Sequence, residues 1–234
     1  MYIGTTNMCS MGNWAAHVLV ISEIQGFATK EYTPLHTDPL SHPWSQQLNL
    51  QSFWGKHMAI VALCPHIDLL FLESLQDKRI IIANTTDTIT KETLRIVGVY
   101  ISPQFEESKS QWEALNKINI TNNTVVAGDF NAWTDKLCNT YPTRSKPHHK
   151  GATMLHYMTQ KELIFTLDDK EDGPASLTRW VFDVGNTPVK GSKLDYILVA
   201  GALAHISSRL VVITSLVSNH MIVVVKIAKP ERKN

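Results

Sequence analysis

Residues 124–133 read TVVAGDFNAW, from Thr124 to Trp133. Thr124, Val125 and Val126 are β-branched, and a short apolar run of that kind suits a buried strand better than a helix. Gly128 ends the run, and Asp129 and Asn131 follow at once. A carboxylate and an amide thus stand where a buried strand stops, which is a rigid place to hold a functional group.

The same pattern recurs outward along the chain. Val18–Ile21, Met58–Leu63, Ile67–Leu72, Arg79–Ala83 and Leu94–Tyr100 read as strands upstream, and Leu194–Val199 and Met221–Lys226 downstream. Polar residues Asn84 to Thr90 suggest a hairpin or meander turn. Residues 106–118 suit an amphipathic helix: Trp112, Leu115 and Ile118 recur three apart, and Glu106 and Glu107 favour its start. Residues 151–165 predict a second helix, with Met154, Leu155, Met158 and Leu163 or Ile164 on or near one face. Residues 1–17 are weakly patterned, and residues 27–56 and 134–150 read mostly as loop. Seven or eight strands with two helices disfavour a doubly wound parallel sheet, which needs a crossover for each parallel pair. A two-sheet sandwich with helices outside fits better. No repeat or obvious linker divides the chain, so residues 1–234 are expected to form one domain.

Composition narrows the function classes. At 234 residues the chain is long enough for a large core, and 44% hydrophobic with 18% charged residues excludes wholesale disorder. The net charge of +1 gives no strong global field for wrapping nucleic acid, yet leaves room for local phosphate contacts. Cys9, Cys64 and Cys138 are sparse and odd in number, which suits a reducing compartment rather than a disulfide framework. No apolar run is long enough to span a membrane, and no secretory signal is visible. An intracellular location is expected.

Polar groups gather at the ends of the apolar runs. Glu23 lies just past the run 18–21, Asp195 interrupts 194–199, and His220 precedes 221–225. Each has an ordinary reading. Glu23 suits a solvated strand end, Asp129 and Asn131 an Asx turn, Asp195 a structural salt bridge, and His220 a satisfied core or surface histidine. As a set they suit phosphoester hydrolysis. Mg²⁺ prefers oxygen ligands such as Glu23. Asp195 would orient the imidazole of His220, and Asn131 would hold a phosphate oxygen or water without adding charge. No GxxxxGK[ST], CxxC or HExxH occurs, so a P-loop, a zinc finger and a zincin are not indicated.

These strings resemble the endonuclease/exonuclease/phosphatase family, and most closely the endonuclease domain of non-LTR (LINE-like) retrotransposons. The matching pieces are VLVISEIQG around Glu23, VGVYISPQ around Tyr100, VVAGDFNAW around Asp129, GSKLDYILV around Asp195, and SNH ending in His220. They span nearly the whole chain in family order. The resemblance implies a four-layer α/β sandwich with two packed mixed β-sheets, DNase I-like, with its site at one end. It implies that Glu23 binds Mg²⁺ (or Mn²⁺) and Tyr100 contacts the scissile phosphate. It implies that Asp129, with Asn131, positions the attacking water, and that Asp195 buttresses His220. The implied activity is metal-dependent nicking of DNA, with DNA as partner, an element-encoded reverse transcriptase as a second one, and the nucleus as the favoured place.

Three positions depart from the family pattern. The family's first-strand Asn is matched only by Asn7, and only 15 residues separate it from the glutamate-bearing position Glu23, which leaves little room for the usual helix. The family's Ser-Asp-His reads Ser218-Asn219-His220, so a charge near the metal is lost, and Asn219 and Asn7 stand as weaker metal-site candidates. Ser22 replaces the usual Gln. A vestigial, inactive nucleic-acid-binding domain and a phosphatase of the same fold are the alternatives. The basic residues from Arg144 to Lys150 and from Lys226 to Lys233 are candidate phosphate contacts, and Trp133 a candidate base-stacking residue.

Overall fold

The computed structural model describes residues 2–5, 18–22, 51–55, 57–76, 78–133, 140–141, 149–166, 177–182, 188–203, 207–213 and 222–227. The first sheet holds β1 (Tyr2–Thr5), β2 (Val18–Ser22), β3 (Ser52–Trp54), β4 (Met58–Ala62), β14 (Ser207–Ile213) and β15 (Ile222–Ile227), in the order β14-β15-β1-β2-β4-β3. The second holds β5 (Ile67–Leu75), β6 (Ile80–Asp87), β7 (Thr93–Tyr100), β8 (Thr124–Asp129), β10 (Leu163–Phe165) and β13 (Asp195–Ala200), in the order β10-β13-β8-β7-β6-β5. A three-stranded sheet joins β9 (Thr140–Tyr141), β11 (Arg179–Phe182) and β12 (Pro188–Ser192). Both large sheets are mixed: β1 and β2 run parallel, as do β7 and β8, and the other pairs are antiparallel.

The helices explain the second parallel pair. α1 (Phe105–Lys117) is the crossover between β7 and β8. Its Glu106 and Glu107 sit in the first turn and Lys117 in the last, matching the helix dipole at both ends. α2 (His149–Gln160) follows β9. Trp112 and Leu115 of α1 and Met154, Tyr157 and Met158 of α2 pack on Val97, Val99, Val126 and Leu198. The opposite face of the second sheet meets the first sheet, where Val18, Val20, Met58 and Ile60 pack with Ile81, Ile96, Val125, Ala127, Ile197 and Val199. On the far side of the first sheet Leu19, Ala59 and Val61 are fully buried too. The architecture is therefore the expected DNase I-like sandwich of two packed mixed sheets with cover outside.

Several local expectations change. The second helix stops at Gln160, and Leu163 and Ile164 belong to β10, paired with Ala200 and Val199 of β13. Glu162 takes a left-handed φ of 53°, which ends the helix and turns the chain into an edge strand. A three-residue apolar run has no period, so sequence alone joins it to the helix before it. The Asn84–Thr90 stretch is not all turn: β6 continues through Thr85 and Thr86, and the turn begins after Asp87, whose carboxylate accepts from the N–H of Ile89 and Thr90. The weakly patterned front contains β1, and the loop-like 27–56 stretch ends in β3. No described helix is long and apolar enough to cross a membrane.

Candidate active site

Tyr100, Asp129 and Asp195 form one cross-strand row. Tyr100 at the end of β7 is the register partner of Asp129 at the end of β8, and Asp129 is the partner of Asp195 at the start of β13. Strand alternation puts all three on the face that carries Val125, Ala127 and Ile197 toward the first sheet. Asp129 is 0% exposed and Asp195 1%. Two carboxylates opposite one another in a buried row repel strongly, and such an arrangement persists when cations or donors compensate it.

The GDFN string supplies part of that compensation from its own backbone. Gly128 has φ 142°, and a Cβ there would collide with the carbonyl oxygen of Val99 on β7, so only glycine fits the close approach. Phe130 turns to the helix side and packs edge-on to Tyr196 and against Trp112. Asn131 holds a left-handed φ of 43°, which asparagine tolerates better than most residues. Its N–H donates to Asp129 Oδ1 at 2.8 Å, and its Nδ2 donates to Asp129 Oδ2 at 3.2 Å and to the Ile101 carbonyl at 2.9 Å. The ordinary Asx turn is therefore present, and it is also what aims the carboxylate. Strain of this kind at a residue other than glycine marks a site that its surroundings over-determine.

Four residues that sequence reasoning gave no site role, or a different one, support the row. His57, just before β4, stacks on the Tyr100 ring at 5.1 Å and 22°. The Arg79 guanidinium lies 5.6 Å from the same ring's centroid, and its other partner is Glu107 at 3.1 Å. Thr178 Oγ1 accepts from the N–H of Leu194 at 2.9 Å and of Asp195 at 3.0 Å, fixing the start of β13. No local pattern reveals such a contact, because Thr178 and Asp195 are 17 residues apart. Lys150 corrects the basic-loop expectation: it is 3% exposed and donates to carbonyls rather than offering itself to solvent phosphate. Burial pulls its ammonium below the ordinary lysine range, and the Asp129 carboxylate pulls it back up.

The strand ends converge on one edge of the sandwich. Ser22, the last residue of β2, pairs with Met58, the first of β4, beside His57 and hence Tyr100. Thr5 of β1 pairs with both Val20 of β2 and Val223 of β15, so β15 starts at the edge where β2 ends. Glu23, Asn7, Asn219 and His220 lie outside the described residues, as do Arg144 to His148 of the basic loop and residues 228–234 of the basic tail. Among the described residues no three His, Cys, Asp or Glu side chains form a metal-holding group. The donors that are described, Asp129, Asp195 and Asn131, are oxygen donors of the kind a hard divalent cation takes.

No family model matches the sequence, and no curated protein matches it. Solved structures do match in shape. The 3'-5' exonuclease NExo from Neisseria meningitidis aligns with TM-score 0.68 at 20% identity, over 98% of this chain and 100% of that one. The endonuclease domain of TRAS1, a telomere-specific non-LTR retrotransposon, aligns with TM-score 0.62 at 14% identity, over 98% and 99%. The AP endonuclease LMAP from Leishmania major aligns with TM-score 0.62 at 13% identity, over 92% and 79%. Two mixed sheets packed face to face, with α1 and α2 on one outer face, are thus the DNase I-like fold that these structures share.

Proposed function

We propose that this chain is a Mg²⁺-dependent phosphodiesterase that nicks DNA, of the retrotransposon-endonuclease type. The observation that carries the reading is the buried row Tyr100–Asp129–Asp195 with Asn131 folded onto Asp129, at the edge where β2 ends and β15 begins. Two facing buried carboxylates need cations or donors to compensate them. A hydrolytic site accounts for them directly, because water must be deprotonated next to a charged phosphate.

In this reading Asp129 takes the proton from the attacking water while Asn131 keeps the carboxylate aimed. The water oxygen bonds to phosphorus, the bond from phosphorus to the 3' oxygen breaks, and that oxygen takes up a proton to leave a 3'-hydroxyl and a 5'-phosphate. Tyr100 contacts the scissile phosphate. Asp195 orients His220, which acts on the phosphate or the water. Glu23, with Asn7 and Asn219 as weaker donors, would hold the divalent ion, which when bound would polarise the phosphoryl oxygen and steady the leaving oxygen. A DNA target makes the nucleus the expected place of action and a reverse transcriptase the expected partner of the free 3'-hydroxyl.

The test is conversion of supercoiled plasmid to open circles with Mg²⁺ or Mn²⁺. The expected result is nicking that falls at least about a hundredfold in Asp129→Ala, the scale on which a lost acid–base group acts. Plasmid left intact by a folded protein at all metal concentrations would overturn the nuclease reading. Phosphate release from 3'-phosphorylated DNA or small phosphate esters without nicking would reassign the site to a phosphatase.

A further inference from the structure

We propose that Lys150 is a positioning residue of this site: its buried ammonium straps the backbone just beyond Tyr100 to the head of α2. The segment Ile101–Ser102–Pro103 links Tyr100 to α1, and its backbone hydrogen bonds can be followed group by group. The Ile101 N–H donates to the Asp129 carbonyl at 2.9 Å, and the Ile101 carbonyl accepts from Asn131 Nδ2 at 2.9 Å. The Ser102 N–H donates to Gln111 Oε1 at 2.6 Å. The two carbonyls that remain, of Ser102 and Pro103, both accept from Lys150 Nζ, at 2.8 and 2.6 Å. Lys150 thus closes a set whose other members are Asp129, Asn131 and α1.

Stability alone accounts poorly for this lysine. It sits in the first turn of α2, where the helix dipole disfavours a positive charge and where no acidic residue offsets it. It is desolvated, and among the described residues it forms no ion pair. A solvated side chain would avoid both penalties. What the buried ammonium provides is reach and several donors at the end of a flexible stem, directed at two carbonyls a step beyond Tyr100. Its charge is also felt at Asp129, the carboxylate that Asn131 aims. The strap therefore joins the phosphate-contacting tyrosine and the water-positioning pair into one unit. This role rests on the nuclease reading for its catalytic consequence, but the strap itself does not.

Two readouts separate these levels. In plasmid nicking, Lys150→Met is expected to lose about tenfold or more in kcat with KM changed less than about twofold, since small misplacements of reacting groups act on turnover. Lys150→Arg is expected to restore most of it. In hydrogen–deuterium exchange without metal, the amides of Ile101, Ser102 and Gln104 are expected to exchange faster in Lys150→Met than in the parent, and amides of β4 to stay unchanged. Lys150→Gln serves if the methionine variant does not fold. Unchanged exchange at residues 101–104 overturns the strap, whatever the activity. Faster exchange with unchanged kcat overturns the positioning role. If the parent itself does not nick DNA, the nuclease reading has failed, and the exchange result alone still decides for or against the strap.

Discussion

At the scale of single residues, the burial of groups that carry charge is the informative signal. Asp129 and Asp195 are candidate site residues because each is buried opposite the other, which no strand needs for its own sake. Tyr157 shows the opposite case. Its ring packs against Trp112 in the helix-side core, its hydroxyl is buried with no hydrogen-bond partner among the described residues, and desolvation pushes its pKa well above the ordinary tyrosine value. A phenol whose folded pKa is raised supports the fold below its unfolded pKa near 10 and loses that support as pH climbs past it. Tyr157→Phe is expected to change the urea midpoint little at pH 7, because the hydroxyl it removes is unsatisfied. At pH 11 the variant should be more stable than the parent by about 1 kcal/mol, from one pH unit of linkage. Equal losses for both chains between pH 9 and 11 would show that the hydroxyl ionises freely in the fold.

At the scale of elements, the end of β8 carries the constraint. Gly128 lets β8 approach β7 so closely that Asp129 comes level with Tyr100, and Phe130 pins the next residue into the helix-side core. Gly128→Ala places a methyl against the Val99 carbonyl and adds a disfavoured φ, so a loss of roughly 2 to 4 kcal/mol in unfolding free energy is expected. Chemical denaturation measures it. A loss below about 0.5 kcal/mol would mean that the strands relax apart without penalty. Much of this was legible beforehand. The runs at 18–21, 58–63, 94–100, 124–127 and 194–199 became strands because consecutive β-branched and apolar residues suit a sheet buried on both faces. The short edge strands β3, β9 and β10 were not legible, since three residues or fewer carry no period and are strands only because a neighbour offers hydrogen bonds.

At the scale of the whole molecule, the candidate site residues that are described lie at the strand ends, and the described core beneath them is built of apolar side chains. A chelator is therefore expected to stop nicking without unfolding the protein. Conversely, a divalent ion that relieves the repulsion around Asp129 and Asp195 binds the folded state alone. Mg²⁺ at about a hundred times its Kd should raise Tm by roughly 5 to 10 °C, following mass action and the usual entropy of unfolding for a chain of this size. A Tm indifferent to Mg²⁺ and Mn²⁺ would count against a metal centre among these residues. The sequence by itself determined the longer buried strands of the two sheets, the two helices and the residue types at those strand ends, because hydrophobic period and β-branching are local properties. It also carried the resemblance from which the DNase I-like sandwich was expected. Only the tertiary structure decided that Tyr100, Asp129 and Asp195 share one register row, that His57 and Arg79 flank the tyrosine, and that Lys150 turns inward. Those facts depend on strand pairing and packing between segments far apart in the chain, and the free energy that selects them is not a property of any one segment.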